Sequence, residues 1–166
     1  MIRVAQFVGI SQRLRICQSM PLSTAPDKLS IIIYDHHFDK VHYALVMASA
    51  AAAIGKPVTV FFTMGACQAL LKREPTAQPA WSEMPLSNEV GTGFELDKTY
   101  KQNGVAHFEE LLEACITLEV TFMVCEMGLH AKGFENIPLR TDLSIEISGL
   151  VTFLNDASNN GAMVFI

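Results

Sequence analysis

Apolar residues in this chain come in short unbroken runs, separated by longer stretches with helical spacing. Leu29-Ser30-Ile31-Ile32-Ile33-Tyr34 is a β-branched run closed by Asp35-His36-His37. Unbroken rather than alternating apolarity is what a strand covered on both faces of a parallel sheet requires. Asp39 then sits where a helix would open. The alanine-rich stretch that follows continues to about Ile54, with Gly55 as its stop and Pro57 just beyond. Val58–Phe62 predicts a second buried strand, and 65–72 a short helix. Phe108, Leu111, Leu112, Cys115 and Ile116 fall on one helical face, with Glu109, Glu110 and Glu113 mostly elsewhere. A third strand follows at 120–124. Next come a short helix over 127–132 closed by Gly133, an ambiguous stretch at 137–147 with room for a short strand, and a helix over 150–157. Asn159-Asn160-Gly161 turns the chain into a last buried strand at 162–166.

Strands alternating with helices predict an α/β fold: three α/β/α layers around a mostly parallel sheet of about five strands. One region resists this pattern. Residues 73–104 hold three prolines, three glycines and the only tryptophan, Trp81, and read as an irregular insertion, a lid or an added segment. Gly91-Thr92-Gly93 inside it follows no strand, so it is a poor dinucleotide-binding fingerprint.

Composition narrows the class. Half of the 166 residues are apolar, 17% are charged and mean hydropathy is +0.28. That excludes a disordered chain and hints at faces buried in a homo-oligomer. The longest apolar stretch, 41–55, is too short for a bilayer span, which needs about 20 residues. The net charge of −5 divides unevenly. Residues 1–28 form a basic extension of net +3: an arm, a targeting segment or a start-site artefact. Residues 29–166, expected to be one domain, carry −8. So acidic a body has no electrostatic footprint for nucleic acid. The four cysteines (Cys17, Cys67, Cys115, Cys125) show neither a secreted disulfide framework nor zinc spacing. Free thiols in a reducing cytoplasm are the expectation, with no metal and no cofactor.

Ligands of open α/β sheets bind beyond the carboxyl ends of the strands. Three such ends carry chemistry: 35–38 with His36 and His37, 63–67 with Cys67, and 125–127 with Cys125 and Glu126. Cys125 stands where a strand becomes a helix, a position that favours a thiolate, the nucleophilic form, although Glu126 beside it opposes ionisation. The plainer alternative is a packed structural cysteine. Asp35, His36, His37 and His42 carry ligand atoms suited to a metal, but solvated loop histidines account for them more simply.

Several segments together resemble the DsrE/DsrF-like family. They are Leu112-Glu113-Ala114-Cys115-Ile116, the run from Thr121 to Gly128, the run from Ile147 to Leu154, and the closing Gly161-Ala162-Met163-Val164-Phe165-Ile166. Upstream, Asp39-Lys40 with its alanine-rich helix and Val58–Thr63 are similar to that family's first βαβ unit. The resemblance implies a homo-oligomer, a trimer favoured, working in sulfur relay. Cys125 would accept a sulfane sulfur as a persulfide and pass it to a partner thiol. Cys115 matches a second cysteine found in some members. Cys67, His36, His37, Glu126 and His130 are accessory candidates. Where members often continue with a Ser-containing turn, this chain has Met127-Gly128-Leu129-His130, and His36-His37 is not a pattern that the resemblance carries over. Two alternatives stand beside the carrier: a non-enzymatic assembly subunit with a structural cysteine, and a thiol redox regulator pairing Cys125 with Cys67 or Cys115.

Overall fold

A computed structural model describes residues 25–72 and 77–166. Five strands form one sheet: β1 (Leu29–Ile33), β2 (Val58–Phe62), β3 (Thr121–Cys125), β4 (Ile145–Ser148) and β5 (Ala162–Phe165). Their order is β4-β3-β2-β1-β5 and every pairing is parallel. The helices are α1 (Phe38–Ala53), α2 (Gly93–Gln102), α3 (Phe108–Thr117), α4 (Glu126–Lys132) and α5 (Leu150–Asp156), with 3₁₀ turns at Met64–Leu70 and Ala80–Glu83.

The unbroken apolar runs mean what the sequence suggested. Alternate residues of β1–β3 enter two separate cores. Ile31, Ile33, Val58, Val60, Phe62, Phe122 and Val124 pack under α1 and α3, with Val41, Leu45, Phe108 and Leu112 above them. Ile32, Phe61, Met123 and Cys125 face the other way and meet Phe153 of α5. The first core is large and the second is small. The topology explains this inequality. The chain steps outward from β1 to β4 with its crossings on one face, then returns past β1 to β5 on the other, so α5 alone spans the second face.

Local chemistry sets the element ends. Gly55, at φ +78°, supplies the left-handed residue that stops α1. Asp39 lies in the first turn of α1, but its carboxylate accepts from the Ser87 backbone N–H at 2.9 Å and from the Ser87 hydroxyl. It thereby ties the 85–92 segment to the start of the helix. Residues 1–24 of the basic extension lie outside the described residues. The remainder is fastened to the domain: Lys28 pairs with Asp156 at 2.6 Å and its carbonyl accepts from the Ala162 N–H.

The region expected to be irregular, 73–104, needs correcting. Among its described residues lies α2, opened by a reciprocal cap between Thr92 and Glu95. The helix escapes periodicity because its sequence, GFELDKTYKQ, is polar and buries only Gly93 completely. Trp81 is 5% exposed, stacks on Phe108 at 4.8 Å and donates to Glu109 at 2.6 Å. Arg140 grips the same Glu109 carboxylate with two N–H groups. Trp81 thus belongs to the first core and does not cover Cys125.

His42 is buried in that core, flanked by the tilted rings of Phe38 and Tyr100, and its Nε2–H donates to the Ala106 carbonyl at 2.8 Å. Burial holds its pKa below the ordinary 6.5, against the opposing pull of the Ala106 bond and Asp97. The unfolded chain then binds more protons than the native one below about pH 6.5, so stability should fall as pH drops through that value. Denaturant titrations between pH 7.5 and 5.5 should show this fall in the wild type and a shallower one in His42→Gln. Equal slopes would place the proton uptake elsewhere.

Candidate functional site

The carboxyl edge of the sheet gathers the ends of β1 to β4, where sequence reasoning expected the chemistry. Cys125 is the last residue of β3 and the N-cap of α4. Its side chain points into the second core, against Ile32, Phe61, Met123 and Phe153, and it is 2% exposed. Glu126 and His130 are exposed on α4, as is Met127, and none of them contributes to that core.

The neighbouring β2 end is held very close. A Cβ added to Gly128 would lie 2.5 Å from the Met64 backbone nitrogen and 3.1 Å from Thr63 Oγ1, so only glycine fits there. Met64 itself has φ +49°, a left-handed conformation that a long side chain rarely adopts. The tight Gly128–Met64 contact locks the start of α4 onto the 3₁₀ turn that carries Cys67.

Cys67 donates to the Phe62 carbonyl at 3.6 Å in the first core. Burial first, and then its electrostatic interaction with neighbouring Cys125, push its thiol up to about 12. Cys115 lies in the first core too, on the opposite face from Cys125. It donates to the Leu45 carbonyl at 3.8 Å and burial pushes it up to about 12. Both are therefore protonated thiols at neutral pH, and all three described cysteines are free. The fold brings Cys67 within electrostatic reach of Cys125 and sets Cys115 apart from it.

Beyond β1, the Asp35 carboxylate accepts from the His37 backbone N–H at 2.9 Å and meets His37 Nδ1 at 2.5 Å, with His36 Nδ1 at 3.9 Å. Hydrogen bonds and the two histidines hold this carboxyl below the usual range, outweighing the upward push of burial. His36 packs so closely on Gly65 that a Cβ there would lie 2.4 Å from its own. Ligand atoms of Asp35, His36 and His37 lie within 4.8 Å of one another, the only such group found among the described residues. Two ligands of one ion at about 2.0–2.2 Å each stand roughly 3.3 Å apart. At 2.5 Å, Asp35 and His37 are instead arranged as hydrogen-bond partners. His42, buried against Ala106, is not part of this group.

Sequence reasoning missed one polar group here. Ser148 ends β4 directly opposite Cys125 in the β3–β4 register. It is 9% exposed, and its hydroxyl oxygen is buried without a hydrogen-bond partner. The run Ile147-Ser148-Gly149 gave no hint of this, because the sequence does not reveal the register of the two strands.

No helix among the described residues is long and apolar enough to cross a membrane. The chain is 28% identical to "Sulfur carrier protein DsrE2" of Allochromatium vinosum over 158 residues, covering 84% of this chain and 98% of that protein. It is 27% identical to the uncharacterised protein YrkE of Bacillus subtilis, covering 84% of this chain and 96% of that one. The ychN protein of E. coli shares the fold, with a TM-score of 0.50 at 14% identity over 84% of this chain and 97% of that structure. Residues 25–165 match the sequence profile of the DsrE/DsrF/DrsH-like family. With its five-stranded parallel sheet and this match along nearly all of the described chain, the protein belongs to the DsrE/DsrF/DrsH-like family.

Proposed function

We propose that this protein is a sulfur carrier that holds sulfane sulfur as a persulfide on Cys125 and hands it to a partner thiol. The observation that carries the reading is the placement of Cys125 at the carboxyl end of β3, where the family resemblance puts the sulfur-accepting cysteine, in a chain similar over 84% of its length to a protein named a sulfur carrier. The chemistry is thiol exchange. The Cys125 thiolate attacks the outer sulfur of a donor, a new Sγ–S bond forms, and the donor's S–S bond breaks with its electron pair leaving on the donor. An acceptor thiolate then takes the terminal sulfur and Cys125 departs as thiolate. Incubation with inorganic polysulfide followed by intact mass tests it: the folded protein gains about 32 Da per sulfur on Cys125. No gain on that residue would overturn it.

The burial of Cys125, at 2% exposed, favours a second reading: an assembly subunit whose cysteine is structural. Slow iodoacetamide labelling of the folded protein, together with no sulfur uptake, would select that reading. A redox pairing of Cys125 with Cys67 draws on their electrostatic contact, whereas Cys115 lies across the sheet.

The carrier works as a homo-oligomer in this reading, a trimer by family resemblance, in the cytoplasm. Support comes from the thinly covered second face. Leu150, Val151 and Leu154 of α5 and Met163 and Phe165 of β5 are between 46% and 73% exposed, and Tyr34 stacks on Phe165. So much apolar surface on one side marks an interaction site. Sedimentation velocity should show a species heavier than 18.3 kDa that Val151→Glu dissociates. A monomer across micromolar concentrations would overturn this.

A further inference from the structure

We infer that Ser148 is the positioning residue for the sulfur carried by Cys125, donating its hydroxyl hydrogen bond to the terminal sulfur of the persulfide. The inference rests on the carrier reading and deepens it.

Buried polar groups in native proteins are nearly always paired, and one left alone calls for an explanation. The Ser148 hydroxyl is the one buried side-chain N or O without a partner among the described residues. It does not cap the helix that follows, whose N-cap is Gly149 without a side-chain bond. Nor does it reach the resting Cys125 thiol, although the two are register partners on adjacent parallel strands. In-register residues of parallel neighbours project to the same face, with the strands about 4.8 Å apart. Cys125 projects into the second core, so Ser148 lies on that face beside it. A second sulfur extends the Cys125 side chain by about 2.05 Å. The resting protein thus keeps a buried donor idle next to the atom that the loaded protein would add.

The chemistry suits the donor. When polysulfide loads Cys125, the thiol proton has gone to solvent, the Sγ–S bond has formed, and the donor's shortened chain has left with the electron pair. The charge then resides on the terminal sulfur. Ser148 donates a hydrogen bond to that anion without surrendering its proton. A hydrogen bond to a charged group is among the stronger kinds, worth about tenfold or more in the equilibrium it favours. Ser148 is therefore expected to lower the pH at which the persulfide becomes an anion, and to prolong its life.

The test uses the full chain, its Ser148→Ala variant and its Ser148→Thr variant, each loaded with inorganic polysulfide and freed of excess. Intact mass with peptide mapping follows sulfur on Cys125, and sulfur release to dithiothreitol is measured against pH. Ser148→Ala should load, but its pH midpoint should rise by about one unit, the counterpart of a tenfold loss, and Ser148→Thr should restore the wild-type midpoint. The melting temperature of unloaded Ser148→Ala should equal or exceed that of the wild type, because no native bond is lost and an unpaired buried hydroxyl is removed. An unchanged midpoint in Ser148→Ala, or a melting temperature that falls with it, would overturn the inference and leave the carrier reading standing. Absence of sulfur on wild-type Cys125 would instead remove the carrier reading, and this inference with it.

Discussion

Cys125→Ser is expected to abolish sulfur loading at position 125 while leaving the fold intact. Oxygen replaces sulfur at nearly the same volume, so the small core of Ile32, Phe61, Met123 and Phe153 keeps its shape. A buried hydroxyl is less at home there than a thiol, and the variant should lose about 1–3 kcal/mol of stability, short of unfolding. Its circular dichroism should match the wild type, whereas peptide mapping after polysulfide should find no sulfur at position 125, and none on Cys67 or Cys115 wherever those two remain protonated. Those two thiols, pushed up to about 12, provide the internal control. Loading that persists in Cys125→Ser at an undiminished level would move the carrier role to another cysteine.

Phe153→Ala is the second large effect, and it couples stability to the same thiol. Phe153 is 0% exposed, stacks on Phe61 with ring centroids 4.9 Å apart, and is the only buried residue of α5. Truncating a buried phenylalanine costs about 3–5 kcal/mol, a large share of the roughly 5–15 kcal/mol that holds a domain together. The loss should register as a lower denaturation midpoint. Because the same ring covers Cys125, iodoacetamide labelling of that cysteine should accelerate under conditions where the variant is still folded. A loss below about 1 kcal/mol for Phe153→Ala would mean that α5 does not clamp the second face.

The strands were legible because burial on both sides leaves an unambiguous mark. Ile31-Ile32-Ile33 and Val58–Phe62 can be nothing but interior, and Gly55 announces the end of α1. Helix α2 was not legible by the same rule, since it buries too little to show a period; its readable signal was the Thr92–Glu95 cap, overshadowed by the glycines around it. The carboxyl edge of the sheet was foreseen, and Cys125 lies on it. What the residues along the chain could not convey was sidedness. Cys115 and Cys125 stand close together along the chain, yet strand and helix geometry put the sheet between them. Likewise, only the pairing of β4 with β3 makes Ser148 a neighbour of Cys125. The histidines divided for a related reason: His42 falls on the inward face of α1, whereas His36 and His37 precede that helix on the open edge.

The strand order also sets a timetable for synthesis. Strand β1 is interior in the finished sheet, paired with β2 on one side and β5 on the other. Its second partner is encoded about 130 residues later, after every other element. At ordinary translation speeds of about 5–20 residues per second, the nascent protein carries the apolar Ile31-Ile32-Ile33 edge unpaired for roughly ten seconds. During that interval the growing chain presents a ready template for strands of other molecules. Overproduction should therefore draw on chaperones that shield exposed strand edges, and slowing synthesis by cooling should raise the yield only where such shielding keeps pace.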